Sequence, residues 1–198
     1  MRCHWIVWGT LAILNVGGRS PAFAGAETCG AFYWQGSAHG QEVDSVDRES
    51  LEPFLRTLPA AEGIGFAVKN TSKEVWVDIT TYPGEVTLLA ATRVVFILGR
   101  MVKPGYDYLV LADNGEPVFK IGYDDIHRIG CQFVWGEEGG QNPIALIRDF
   151  VDSLRYYSNG ARVAPEFPGS LFGDTNIAVS TMNEIVNPQW VLRSVKVE

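Results

Sequence analysis

The strongest single constraint on this chain is a pair of cysteines, Cys29 and Cys131. Joined, they would staple the front of the chain to its middle across roughly 100 residues, a loop closure worth about 4 to 5 kcal/mol if no strain opposes it. The third cysteine, Cys3, lies in a segment with the three parts of an export leader. Arg2 forms a basic start, an apolar run extends from Trp5 to about Val16, and Ala22-Phe23-Ala24 is a small-residue cleavage site before Gly25. The run of about 12 residues makes roughly 18 Å of helix, short of the roughly 30 Å hydrocarbon core of a bilayer. Gly17-Gly18 and Pro21 argue against a buried helix there, and Ala26-Glu27-Thr28 before Cys29 does not fit a lipidation site.

Residues 1–24 are therefore expected to be removed, leaving a soluble exported protein in the periplasmic or extracellular space. In such a compartment thiols oxidise, and a Cys29–Cys131 disulfide is preferred over two separate buried thiols. No catalytic thiol motif is recognised around either cysteine. The leader takes Arg2 and Arg19 and no acid, so the net charge of −7 over the whole chain becomes about −9. That balance repels phosphate backbones and anionic headgroups, which argues against nucleic-acid and membrane-surface functions and favours a basic protein partner.

Residues 25–198 read as a single globular domain, since no repeat or linker interrupts them. Ala31 to Asp47 lacks a clear period and reads as an irregular lead-in. Leu51, Phe54, Leu55 and Leu58 predict a helix from Ser50 to Leu58 that Pro59 ends. Alternation in Ile64–Val68 and Val75–Ile79 predicts a hairpin, and Tyr106–Ala112 with Pro117–Gly122 predicts a second around Asn114-Gly115. Between them, residues 84–102 carry a helical stripe at Leu88, Ala91, Val95 and Leu98, although Val94-Val95-Phe96-Ile97 also suits a strand.

Beyond the second hairpin the reading is a strand at Ile126–Trp135, a loop at Gly136–Gln141, and a helix opened by Asn142-Pro143 and stopped by Asn159-Gly160. A loop-rich stretch over 161–183 and a last strand from Gln189 to Val197 complete it. The pattern argues an α+β domain: a mainly antiparallel sheet built from hairpins, with two or three helices packed on one face.

The familiar catalytic signatures are absent, among them G-x-S-x-G, the P-loop, H-E-x-x-H and paired C-x-x-C. Neither a cofactor nor a metal is predicted. On a strand, Asp125 and His127 would share a face, close enough for a carboxylate to orient an imidazole or for both to ligate a metal. A solvated Asp124-Asp125 turn is the simpler explanation, and His39, the other histidine after the leader, lies in a glycine-flanked loop. Glu137-Glu138 with Glu42, Asp44, Asp47 and Glu49 could dock a basic partner, or simply be solvated. The aromatic residues, including Tyr82, Tyr106, Tyr108, Trp135, Tyr156 and Tyr157, read as core rather than as a binding groove. Two functions follow: an exported binding module that recognises or neutralises a basic protein, which is favoured, and a small exported hydrolase using Asp125 and His127.

Overall fold

The computed structural model describes residues 29, 32–33, 42–43, 45–83, 86, 89–139 and 143–194. The leader, His39, Asp44 and Asn142 lie outside the described residues, and for 134–139 the backbone alone is described. Within the lead-in, β1 (Phe32–Tyr33) pairs antiparallel with β2 (Glu42–Val43). The first helix, α1 (Leu51–Thr57), buries Leu51 and Leu55, as the sequence spacing predicts, and a 3-10 turn at Pro59–Ala61 follows it.

Both hairpins form. β3 (Gly65–Asn70) pairs antiparallel with β4 (Glu74–Thr81), and β5 (Tyr108–Asp113) pairs antiparallel with β6 (Glu116–Gly122). The second turn has φ of 49° at Asn114 and 81° at Gly115, the left-handed pair that an Asn-Gly hairpin requires. Helix α2 (Leu89–Met101) crosses between the hairpins, so β4 and β5 lie parallel. The sheet is therefore mixed, in the order β3-β4-β5-β6-β7, the last strand being Arg155–Tyr156: most pairs are antiparallel as expected, but β4 and β5 join the two hairpins through a parallel pairing that was not. A crossover helix long enough to return the chain to the same end of the sheet makes that one parallel pairing.

Three later expectations are corrected. Residues 126–135 are not a strand but part of α3 (Tyr123–Gly139), where Ile126, Ile129, Gly130 and Phe133 recur at helical spacing and Asp124 and Asp125 suit the positive end of the helix dipole. The next helix, α4 (Pro143–Ser153), stops early: Arg155–Tyr156 form β7 against Phe119 and Lys120. There Tyr156 packs on Phe119 at 5.6 Å and Tyr157 sets its edge on Trp76 at 5.6 Å, contacts that a longer helix would forfeit. The loop-rich stretch holds only to residue 170: α5 (Leu171–Thr181) begins at Ser170, whose hydroxyl accepts from Gly173 N, and continues as a π-helix over Met182–Val191, so the described part of the expected final strand, 189–194, is helical. Five α-helices are present among the described residues, not two or three.

Register divides the sheet into two faces. Val75, Val77, Leu109, Leu111, Phe119 and Ile121 form the inner face and share one core with the apolar residues of the helices. Trp190 is fully buried in that core, and its indole N–H donates to Ala112 O at 3.1 Å. The outer row, Lys69, Trp76, Val110 and Lys120, alternates with it; Lys69, Trp76 and Lys120 are open or half-buried, while Val110 between Trp76 and Lys120 is fully buried.

Candidate functional site

Two glycines set the geometry of the most distinctive side-chain cluster. Gly99 of α2 and Gly130 of α3 sit where the two helices touch. A Cβ at Gly130 would lie 2.5 Å from both Arg100 N and Phe96 O, and one at Gly99 would collide with Ile126 O. Backbone thus meets backbone, and α3 comes near enough for His127 Nδ1 to reach Gly99 O at 3.1 Å. A carbonyl only accepts, so Nδ1 carries the proton and Nε2 presents its lone pair on the far side of the ring. Tyr123, one turn earlier, stacks on the imidazole at 5.3 Å.

That lone pair faces sulfur. Cys131 lies one turn beyond His127 on the same helix face, with Sγ 3.7 Å from Nε2. Cys29 arrives from the lead-in with Sγ 3.6 Å from the same nitrogen, and its carbonyl accepts from Arg100 Nη2. The two cysteines are at disulfide distance, with Cα atoms 5.4 Å apart. The three side chains are half-buried, and their donor atoms all lie within 4.8 Å of one another. Among the described residues these are the ones placed to hold a metal.

The expected partner of His127 is elsewhere. Two positions apart on a helix means about 200° of rotation, so the shared face that a strand would have given is lost. Asp125 is exposed and its carboxylate pairs with Arg128 at 3.5 Å, while Arg128 also reaches Asp149 at 3.0 Å. Asp124 is exposed as well. Reading the segment as a strand also hid the i, i+4 spacing of His127 and Cys131, the one sequence signal for the cluster. No pattern in the sequence identifies Cys29 as its third member.

Two carboxylates, Asp78 and Asp113, occupy the far end of β4 and β5. Burial raises both above the usual range; Gly115 N donates to Asp78 at 2.7 Å, and Arg193, at 3.9 Å from Asp113, pulls the Asp113 value the other way. The aromatic residues divide: Tyr82 and Tyr106 are buried, and burial pushes their phenols upward. On the outer face Lys69 lies over Trp76 at 4.4 Å and Lys120 over Tyr108 at 5.0 Å, so this part of the aromatic set is partly open instead of core. A cavity of about 640 Å³ between α2 and α4 is lined mainly by apolar side chains, including Phe96, Leu146 and Ile147.

A second surface stands out at the start of α5. Leu171 is 73% exposed and Phe172 83%, and Val179, two turns later, is 44% exposed. From residue 163 to 192 the chain contains Glu166, Asp174 and Glu184 but neither lysine nor arginine. The neighbouring Arg148 is committed to Asp174 at 3.4 Å. Of the acids expected to gather at the front of the chain, Asp47 pairs with Lys103 at 2.9 Å and Glu49 is exposed; the side chains of Glu42, Glu137 and Glu138 fall outside the described set.

No protein-family model, curated protein or solved structure matches the chain. Its class is α+β, with a five-stranded mixed sheet and a cysteine pair at disulfide distance. Among the described residues no helix is long and apolar enough to cross a membrane.

Proposed function

We propose that the protein is an exported binding module that docks a basic protein partner on the exposed face of α5. One observation carries this reading: Leu171 and Phe172 stand almost fully in water on a segment whose charged side chains are all acidic. Single exposed apolar residues are ordinary, but two large adjacent ones, with Val179 further along the same helix, suit an interface centre. Aromatic anchors contribute a disproportionate share of interface energy. Glu166 and Glu184, both exposed on the same segment of chain, would favour lysine- or arginine-bearing surfaces, in keeping with the net charge of −7. The Cys29–Cys131 pair would brace the domain in an oxidising compartment.

Capture on the immobilised protein from the exported fraction of its source cells tests the reading. A retained protein of net positive charge should elute as salt rises, because the Debye length falls from about 10 Å at 0.1 M to about 3 Å at 1 M. Glu184→Lys should weaken retention. Retention that ignores both salt and this substitution, or a protein that captures nothing, rejects the proposal.

A further inference from the structure

We propose that Cys29, His127 and Cys131, in their dithiol state, form a binding site for one zinc-class divalent ion. This inference is independent of the docking surface on α5. A tetrahedral ion with bonds of about 2.3 Å to sulfur and about 2.0 Å to nitrogen places those donors about 3.5 Å apart. His127 Nε2 is 3.6 Å from Cys29 Sγ and 3.7 Å from Cys131 Sγ, so both sulfur–nitrogen edges of such a polyhedron already exist. The sulfurs need only part from bonding distance to about 3.8 Å to complete its third edge.

The ring is oriented for the task. Gly99 O holds the Nδ1 proton, which fixes the tautomer whose Nε2 lone pair faces the sulfurs, the outer-sphere arrangement that metal-bound histidines use. Two thiolates with one imidazole suit zinc better than magnesium or calcium, which prefer oxygen. Half-burial gives an ion a way in, and three protein donors leave a fourth position for water.

The same sulfurs cannot be ligands and a disulfide together, so the site is gated by oxidation state. An external dithiol reduces the bridge: two electrons pass to the cysteines, two thiols form, and the reductant becomes the disulfide. Binding then displaces one proton from each thiol, and the neutral imidazole loses none.

The test uses the whole protein, reduced with a phosphine, freed of reductant under inert gas and titrated with Co²⁺ as a spectroscopic probe. Thiolate-to-cobalt charge transfer should saturate at one ion per chain, be abolished by Zn²⁺, and be missing from the unreduced protein. His127→Ala should weaken binding by about 100-fold or more, the upper end of what outer-sphere losses alone cause. Cys29→Ser and Cys131→Ser should each remove most of the band. If reduction loosens the fold, circular dichroism before and after Zn²⁺ serves as the second measurement, and zinc should restore the native spectrum. Absence of charge transfer, equal binding by the oxidised protein, or unchanged affinity in His127→Ala overturns the proposal.

Discussion

Replacing Gly130 by alanine should destabilise the protein even though alanine is the better helix former. In an unhindered helix interior the substitution would gain about 0.8 to 1 kcal/mol. Here the new methyl would sit 2.5 Å from Phe96 O and Arg100 N, both backbone atoms of α2 that no rotamer change can move. The helices must separate by about 1 Å to restore ordinary contact, opening space around Phe96, Ile126 and Ile129. Overpacking of this kind costs about 1 to 3 kcal/mol, and backbone against backbone belongs at the upper end. A net loss of about 1 to 2 kcal/mol follows, or a fall in melting temperature of about 2 to 8 °C for a domain of this size.

Thermal unfolding of oxidised wild type and variant measures the loss directly. Gly99→Ala strains the same contact, so the double variant should lose less than the sum of the singles, because one separation relieves both. Equal or greater stability in Gly130→Ala, or strict additivity, would refute the glycine contact. His127 offers an internal reporter, since parting the helices lengthens its 3.1 Å hydrogen bond to Gly99 O.

Trp190→Ala should cost about 3 to 5 kcal/mol, because it empties a fully buried site and strands the Ala112 carbonyl; a urea midpoint near that of wild type would contradict this. Burial raises the Asp113 carboxyl above 3.8, so its protonated form is favoured by folding: that stability is complete below 3.8 and is lost as pH rises through the folded value. Asp113→Asn, which keeps the group neutral, should therefore gain on wild type between acid and neutral pH. Urea unfolding at several pH values checks the sign, and a stability gap independent of pH would exclude the burial effect as its cause. Phe172→Asp should leave stability within about 0.5 kcal/mol of wild type, since the side chain is 83% exposed.

Local chemistry made the two hairpins, α1 and α2 legible. Asn114-Gly115 could serve one kind of turn, and the alternation of Val75, Val77 and Ile79 left one face to bury. The pairing of β4 with β5 was not legible, because strand order depends on the path of the crossover and not on either strand's residues. Residues 126–135 misled through their β-branched and aromatic content, although Ile126, Ile129 and Phe133 carried the helical period. Helix α5 hid for the opposite reason: Leu171 and Phe172 point to water while Ala178 and Thr181 are buried, so the apolar stripe that marks a surface helix is scrambled. The same exposure that obscured the helix is what suggests its role. At the cysteine cluster, the sequence offered the pairing of Cys29 with Cys131, but placing His127 against both sulfurs needed the helix and the glycine contact beneath it.

Photo-crosslinking from position 172 in the living source cell addresses the binding function most directly. With a photoreactive phenylalanine analogue replacing Phe172, the account predicts a link to a lysine- or arginine-rich surface of a second protein. Glu184→Lys should reduce the yield, and the same analogue at the buried Phe150 should give no intermolecular link. An acidic partner, links only to copies of this chain, or no link at position 172 would contradict the account.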